Sequence, residues 1–471
     1  MKKKLLKTCL LLHMLPAVLV AQPLATRLSA AWQKFEADPQ LKYASISLTV
    51  LNTNTGETVF TKNGNTGLAP ASTLKTIVSA TAFHVLGPGF TYQTTLGYSG
   101  SIDGKGTLTG DVIITGGGDP TLGSWRYTAS REQAILKRWT EAIRSAGIKK
   151  IAGRIISDDR LFGTQTLPPG WIWQDIGNYY GAGPASLTWR ENQFDLVFSP
   201  GSKVGSPVSL VKTDPKFPYL TIVNEVITGP AGSGDNVYAY SSPYTNIIYL
   251  RGSYGIDLKK VISASVPDPA LEAAGRLMDT LSLAGIPVQS VTTARILSME
   301  KKSFVPPARL VDTYTSPTLA QIIYWYNQKS INLYGEHLVK AIAQQLGKEI
   351  TTPAGASAVV AFWNTKLGID KNALNMIDGS GLSPGTRVTT TAMAQILASA
   401  KKEPWFASYF ESLPTYNNMK MKSGSINDVL AYAGYETNNG TPLAFSFIIN
   451  NYNGSSAAVK QKMFNVLDLL K

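Results

Sequence analysis

Three short stretches of this sequence bring hydroxyls and amines together at spacings that can do chemistry. Ser72-Thr73-Leu74-Lys75 follows Pro70-Ala71, Ser330-Ile331-Asn332 lies in the last third, and Lys422-Ser423-Gly424 is close to the C-terminus. On a helix, residues three apart share a face, so the Ser72 hydroxyl and the Lys75 amine can approach hydrogen-bond distance. A lysine held away from water beside other cations loses basicity and can accept the serine proton. A serine at a helix N-terminus also meets the positive end of the dipole, which favours an alkoxide and an oxyanion. Ser330 offers a hydroxyl for proton relay and Asn332 an amide for a substrate carbonyl. Lys422 supplies positive charge, Ser423 a hydroxyl for a carboxylate, and Gly424 room for a close backbone approach. The bare S-x-x-K spacing recurs at Ser209/Lys212, Ser298/Lys301 and Ser399/Lys402. Setting and order, not spacing, single out Ser72.

Histidine and cysteine usage narrows the chemistry further. The chain has three histidines and one cysteine, which excludes a disulfide framework and a cysteine-rich zinc site. A serine–histidine hydrolase needs the ring beside the serine. His84 is twelve residues along from Ser72, about 18 Å on a helix. His337 lies two turns beyond Ser330, and no H-E-x-x-H motif is present. Both histidines are expected to be structural, so a hydrolase of this composition needs lysine as its base. No metal or other cofactor is called for.

The elements that must position these groups show in the apolar pattern. A helix is expected over 25–38, then a β-hairpin from 44–51 to 57–62 through Asn52-Thr53-Asn54-Thr55-Gly56. Pro70-Ala71 leads into a helix over 72–86 whose apolar stripe is Leu74, Ile77, Val78, Ala82 and Val85, stopped by Gly87-Pro88. From 92 to 291 short strands with glycine turns alternate with loops and with helices over 130–147 and 268–285. Residues 194–266 are rich in β-branched residues, Gly, Ser and Pro and read as a small all-β module. The last third predicts two helices within 316–346 broken near Gln328-Lys329, and further helices over 353–367 and 389–401. Strands follow at 419–422, 431–436 and 443–450, with a turn at Asn438-Asn439-Gly440 and a final helix over 456–471. The hairpin and the three late strands can form one antiparallel sheet with helices on both faces, and the middle third is then an insertion.

The N-terminus has a basic stretch with Lys2, Lys3, Lys4 and Lys7, a short apolar run to Val20, and Ala21. This predicts a secretory signal cleaved after Ala21; the run is short for a membrane anchor. Cys9 precedes the apolar run, so it is no lipoprotein cysteine. Loss of those four lysines lowers the net charge from +13 to +9. An exported basic protein meets little nucleic acid, so its charge suits cell-wall polymer or a membrane surface.

S-x-x-K, S-I-N and K-S-G, in that order, are each close to the motif set of β-lactamases and penicillin-binding proteins. The chain resembles the D-alanyl-D-alanine carboxypeptidase/endopeptidase family, the class C low-molecular-mass penicillin-binding proteins. The likeness also rests on Gly117-Gly118-Asp119-Pro120-Thr121-Leu122, Pro169-Gly170-Trp171-Ile172-Trp173-Gln174-Asp175, Asp378-Gly379-Ser380-Gly381-Leu382-Ser383 and Lys422-Ser423-Gly424-Ser425. It implies an α+β, penicillin-binding/β-lactamase-like transpeptidase domain, 22–91 and 292–471, after a signal of 1–21. That domain is split by an inserted domain, 92–193 and 267–291, which carries a small β-rich domain, 194–266.

The resemblance also implies roles. Ser72 is the acylated nucleophile, Lys75 its base, and Ser330 and Asn332 relay the proton and hold the substrate. Lys422 and Ser423 bind the terminal carboxylate, beside Gly424, and the backbone N–H groups of Ser72 and Ser425 form the oxyanion hole. Asp175 meets the ammonium end of the peptide side chain, with Tyr180 nearby; the plainer alternative is a carboxylate that caps a turn near Gly177. Substrates would be peptidoglycan peptides in the periplasm, and β-lactams covalent inhibitors. Some members carry Arg directly after G-L-S, where this chain has Pro384, with Arg387 three residues on. A serine β-lactamase and a catalytically silent wall-binding protein are the competing readings. The inserted region disfavours the first, and the intact Ser72, Lys75, Asn332 and Lys422 disfavour the second.

Overall fold

A computed structural model describes residues 22–471; the expected signal, with Cys9 and His13, lies outside the described residues. Successive side chains on a strand point to opposite faces, and in this chain both faces are apolar. On the strand Thr441–Asn450, Leu443, Phe445, Phe447 and Ile449 join Leu48 and Val50 on one side. They bury Trp32 and Phe35 of the helix Leu24–Glu36 and Met463 and Val466 of Ser456–Leu467. Ala444 and Ile448 face the other way, with Ala431, Ala433 and Tyr435, and meet the helices Leu74–Val85, Asn332–Gln345 and Thr390–Ala400.

The sheet has six antiparallel strands in the order Thr415–Tyr416, Met419–Ile426, Val429–Asn438, Thr441–Asn450, Ser45–Asn52, Thr58–Lys62. The expected hairpin and late strands therefore do meet in one sheet. The turn between the last two long strands places Asn439 and Gly440 at φ 46° and 80°, which a two-residue hairpin of the right twist requires. The helix Leu74–Val85 is buried from Leu74 to Phe83 on every side, rather than along one stripe, because helices and sheet enclose it. Its first turn is a tighter one, Ala71–Thr73. The helix Phe406–Ser412 has no counterpart in the sequence reading, since seven residues are too few to show a period. Tertiary packing makes it: Phe406 and Phe410 lie 5.2 and 5.9 Å from the Tyr435 ring.

The middle of the chain builds a second sheet. Its strands run Arg309–Thr315, Gln93–Tyr98, Val112–Thr115, Lys150–Asp158, Thr107–Thr109, Ser101–Ile102, with Val288–Thr293 also against Lys150–Asp158. The helices Glu132–Ser145 and Pro269–Leu283 cover it. Arg309–Thr315 lies within 292–471, the span expected for the transpeptidase domain, and its ladder is with Gln93–Tyr98. Residues 193–265 form a three-stranded and a four-stranded sheet around their own core of Phe194, Leu196, Phe217, Ile248 and Leu250.

A loop from the inserted region reaches back to the first sheet's helices. Its helical turn Trp173–Ile176 rests on the strand Asp235–Tyr240, with Trp173 and Tyr240 rings 6.1 Å apart and the Ala239 N–H donating to Asn178 Oδ1 at 3.1 Å. The Trp171 indole N–H donates to Asp378 Oδ2 at 3.0 Å.

Phe447 is fully buried against Trp32 and Phe35. Phe447→Ala should cost about 3–5 kcal/mol, seen as a lower urea midpoint of the first unfolding transition. An unchanged midpoint would mean that this face does not hold the sheet.

Candidate active site

Ser72 sits in the tight turn before the long buried helix, between buried Ala71 and Thr73. Ala71 is left-handed, φ 44°, a costly conformation for a residue with a Cβ. The Thr73 hydroxyl ties the turn by donating to the Pro70 carbonyl at 2.6 Å. The strand Met419–Ile426 crosses directly over it. A Cβ at Gly424 would lie 2.6 Å from the Pro70 oxygen and 2.8 Å from Ser72 N. Only glycine lets the strand approach the Ser72 backbone so closely.

Lys75, one turn on, is fully buried. Its Nζ lies 2.9 Å from Ser72 Oγ, 2.7 Å from Asn332 Oδ1 and 2.6 Å from the Ser380 carbonyl oxygen. The Asn332 amide cannot be reversed, because its Nδ2 donates to the Tyr180 carbonyl at 2.8 Å and a carbonyl only accepts. Two of the three neighbours of Nζ are therefore pure acceptors. A neutral amine has two N–H bonds for them and one lone pair, and the lone pair is left for the Ser72 O–H. Burial, and then the charge of Lys422, hold the Lys75 pKa well below its usual value, against the pull of Asp378 and Glu336. Geometry and electrostatics favour the same form: a neutral amine aimed at a serine hydroxyl.

A cavity of about 1260 Å³ opens in front of Ser72. Ser330, Asn332, Lys422, Ser423 and Ser425 line it, and across from them Asp175 and Tyr180 do so. Lys422 is buried, its pKa lowered by burial to about 7, and its Nζ donates to the Ser423 carbonyl at 2.8 Å. Ser330, at φ 55° in the loop before its helix, faces the cavity without a hydrogen bond to Ser72 or Lys75. The Asp175 carboxylate caps no turn: it accepts from the Tyr180 hydroxyl at 3.3 Å, and burial raises its pKa. Among the described residues no cluster of three or more His, Cys, Asp or Glu is placed to hold a metal ion.

The family model described as the D-Ala-D-Ala carboxypeptidase 3 (S13) family matches residues 28–470. The chain belongs to this family. It is 27% identical over 452 residues to a D-alanyl-D-alanine carboxypeptidase of Actinomadura sp. (strain R39), covering 90% of this chain and 81% of that one. It is 24% identical over 440 residues to D-alanyl-D-alanine carboxypeptidase DacB of Haemophilus influenzae, covering 89% and 88%. The crystal structure of penicillin binding protein 4 (dacB) from Haemophilus influenzae has the same fold, with a TM-score of 0.77 at 22% identity over 94% of this chain and 99% of that one.

Several residues of this S13 site carry no signal in spacing. Asp378 is buried and accepts from five donors: Trp171 Nε1, Ser380 Oγ, Gly381 N, Ser383 N and Thr386 Oγ1. This knot holds the Ser380 carbonyl against Lys75. Glu336 accepts from Gly379 N–H, and burial with the nearby Asp378 pushes its pKa up to about 8. Tyr326 donates to the Gly379 carbonyl at 2.6 Å, and its ring centroid lies 5.7 Å from Lys75 Nζ. The Asp378-Gly379-Ser380-Gly381 run was the available signal, as a local cluster of turn formers.

His84 and His337 stand apart from Ser72. His84 packs among Phe362, Trp363 and Trp405. His337 donates from Nδ1 to the Gly118 carbonyl at 2.7 Å, and burial lowers its pKa to about 3. Arg387 turns its guanidinium back onto the Pro384 and Thr386 carbonyls. Ser209 and Lys212 lie on the strand Ser209–Asp214 of the small module, and neither lines the cavity in front of Ser72.

Gly424→Ala should leave the protein folded while slowing acylation by labelled penicillin at least about tenfold, because the new methyl displaces the Ser72 backbone. Equal rates for the two proteins would show that the strand does not hold Ser72 in place.

Proposed function

We propose that this protein is an exported serine D-Ala-D-Ala peptidase that cleaves peptidoglycan stem peptides through a Ser72 acyl-enzyme, as carboxypeptidase, endopeptidase or both. The observation that carries this reading is the buried Lys75 amine, with two contacts that only accept and one serine hydroxyl. The signal read at 1–21 supports export to the periplasm. The cores on both faces of the first sheet, the core of the second sheet and that of residues 193–265 support a peptidase domain split by an inserted domain and a small β-rich one.

In the first step the Lys75 lone pair takes the Ser72 proton while Oγ attacks the carbonyl carbon of the penultimate D-alanine. The new oxyanion lies toward the backbone N–H groups of Ser72 and Ser425, and the positive charge of Lys422 with the Ser423 hydroxyl holds the terminal carboxylate. The C–N bond then breaks. Its nitrogen receives the proton from Lys75 by way of the Ser330 hydroxyl, and D-alanine leaves. Water next attacks the ester carbonyl and gives a proton to Lys75. The C–Oγ bond breaks and Oγ takes that proton back, which regenerates the enzyme. With a β-lactam the ring nitrogen stays tethered after cleavage, so the ester persists.

Labelled penicillin should mark the mature protein once, at Ser72, and Ser72→Ala should abolish the mark. Lys75→Arg keeps the charge but cannot accept a proton near neutrality, so acylation should fall by about three orders of magnitude with the fold intact. Lys75 must lose its proton to act, so the rate rises as pH passes its depressed pKa. Lys422 must keep its proton, so the rate falls as pH passes about 7. Lys422→Arg should move only this alkaline limb upward. Labelling that survives Ser72→Ala, or a Lys75→Arg rate within about tenfold of wild type, contradicts the assignment.

Asp175 supports a preference for stem peptides whose third side chain ends in a free ammonium, as diaminopimelate does. Asp175→Asn should cut turnover of such peptides about ten- to a hundredfold, the loss of a charge-assisted contact of ~1.5–3 kcal/mol. Penicillin, which lacks that side chain, should acylate at an unchanged rate. Equal losses on both substrates would make Asp175 a structural residue.

A further inference from the structure

A second cavity, of about 700 Å³, lies where the inserted region meets the helix Leu319–Gln328. Arg126 lines both this cavity and the one in front of Ser72, so its side chain stands at the boundary of the two. The Arg126 guanidinium carbon sits 5.5 Å from the Trp325 ring centroid, and Nε donates to buried Glu191 at 2.8 Å. Among the described residues neither Nη atom is hydrogen-bonded, which leaves a fork for a carboxylate. Beyond it the wall is aromatic and polar at once: Tyr127, Tyr324 and Trp325, with Ser408 and Glu411 opposite. Tyr324 is 37% exposed and stands edge-on to Trp325 at 5.3 Å. An exposed Tyr324 ring beside hydroxyls, and the open Nη edge of the Arg126 guanidinium, suit a ligand with C–H faces, hydroxyls and an anion.

We infer that this groove is a saccharide subsite, which takes the N-acetylhexosamine end of a stem peptide still attached to its glycan strand. Arg126 reads a carboxylate of the connecting peptide, and the exposed Tyr324 ring stacks on a sugar ring. The inference rests on the peptidoglycan reading above. A glycan-linked stem peptide carries its carboxylate between its reacting end and its sugars, as Arg126 lies between the two cavities. A free peptide leaves the aromatic groove empty, so the groove adds affinity for intact wall fragments only.

The test compares one stem pentapeptide with the same peptide carrying its disaccharide. Wild type should show a KM about tenfold lower for the disaccharide form at equal kcat. Tyr324→Ala should remove that difference and Tyr324→Phe should keep it, while labelled-penicillin acylation stays unchanged in both. Binding to Ser72→Ala, read by tryptophan fluorescence, should show the same preference without turnover. Equal affinity of wild type for both ligands, or a Tyr324→Ala loss shared equally by both, overturns the subsite. Absence of penicillin acylation in wild type would overturn the peptidase reading instead, and the fluorescence titration would still decide the groove.

Discussion

Everything near Ser72 depends on keeping one lysine dry. An ammonium taken from water without a counter-charge is expensive, and the relief available to it is to give up its proton. Lys75 has no anion in contact; its neighbours are a hydroxyl, an amide oxygen and a carbonyl. The surrounding structure follows from that condition. The helix that carries Lys75 is enclosed on all sides, and Lys422 adds a second buried positive charge that opposes protonation.

The orientation of the acceptors comes from far away in sequence. The Tyr180 carbonyl, in the inserted region, fixes which way the Asn332 amide faces, and Trp171 of the same region contributes to the knot around Asp378. A third link joins Glu191 to the helix Asn332–Gln345: it accepts from Tyr334 at 2.8 Å, and also from Ser124 and Arg126. Arg190, Glu191 and Asn192 all have φ between 53° and 54°, three left-handed residues in a row without a glycine. Such strain persists only where surrounding contacts over-determine it, and the Glu191 contacts do so. Trp171, Tyr180 and Glu191 are thus tied to the groups around Lys75, and Tyr180 and Glu191 also wall the cavity.

Two constraints on stability accompany this design. Lys75 and Lys422 both occupy sites where an apolar side chain would fold more favourably, and Ala71 holds a conformation its Cβ disfavours. The large cores on either side of the six-stranded sheet offset these costs, with the aromatic cluster of Trp32, Phe35 and Phe447 on one face and the helices around Trp363 on the other. The arrangement places the densely packed helices and sheet directly behind Ser72 and Lys75. The open part is the cavity lined by Asp175 and Arg126.

The sequence alone determined what is local or periodic. The Ser72/Lys75 pair, the helix behind it, the alternating strands at the C-terminus and the scarcity of histidine were all legible, because side-chain spacing and residue type suffice to read them. The order of three short motifs was enough to point to the family. What the sequence could not decide is non-local. Arg309–Thr315 pairs with Gln93–Tyr98 across more than two hundred residues, and strand pairing leaves no mark on either strand by itself. The lone pair of Lys75 points at Ser72 only because Asn332 Oδ1 and the Ser380 carbonyl take its other two positions, and backbone atoms of Gly379, Ser380 and Tyr180 have no side-chain signature to read. Residue type supplied the hydroxyls and amines; tertiary packing, by removing water and fixing acceptors, decided that Lys75 meets Ser72 while His84 and His337 stand apart from it.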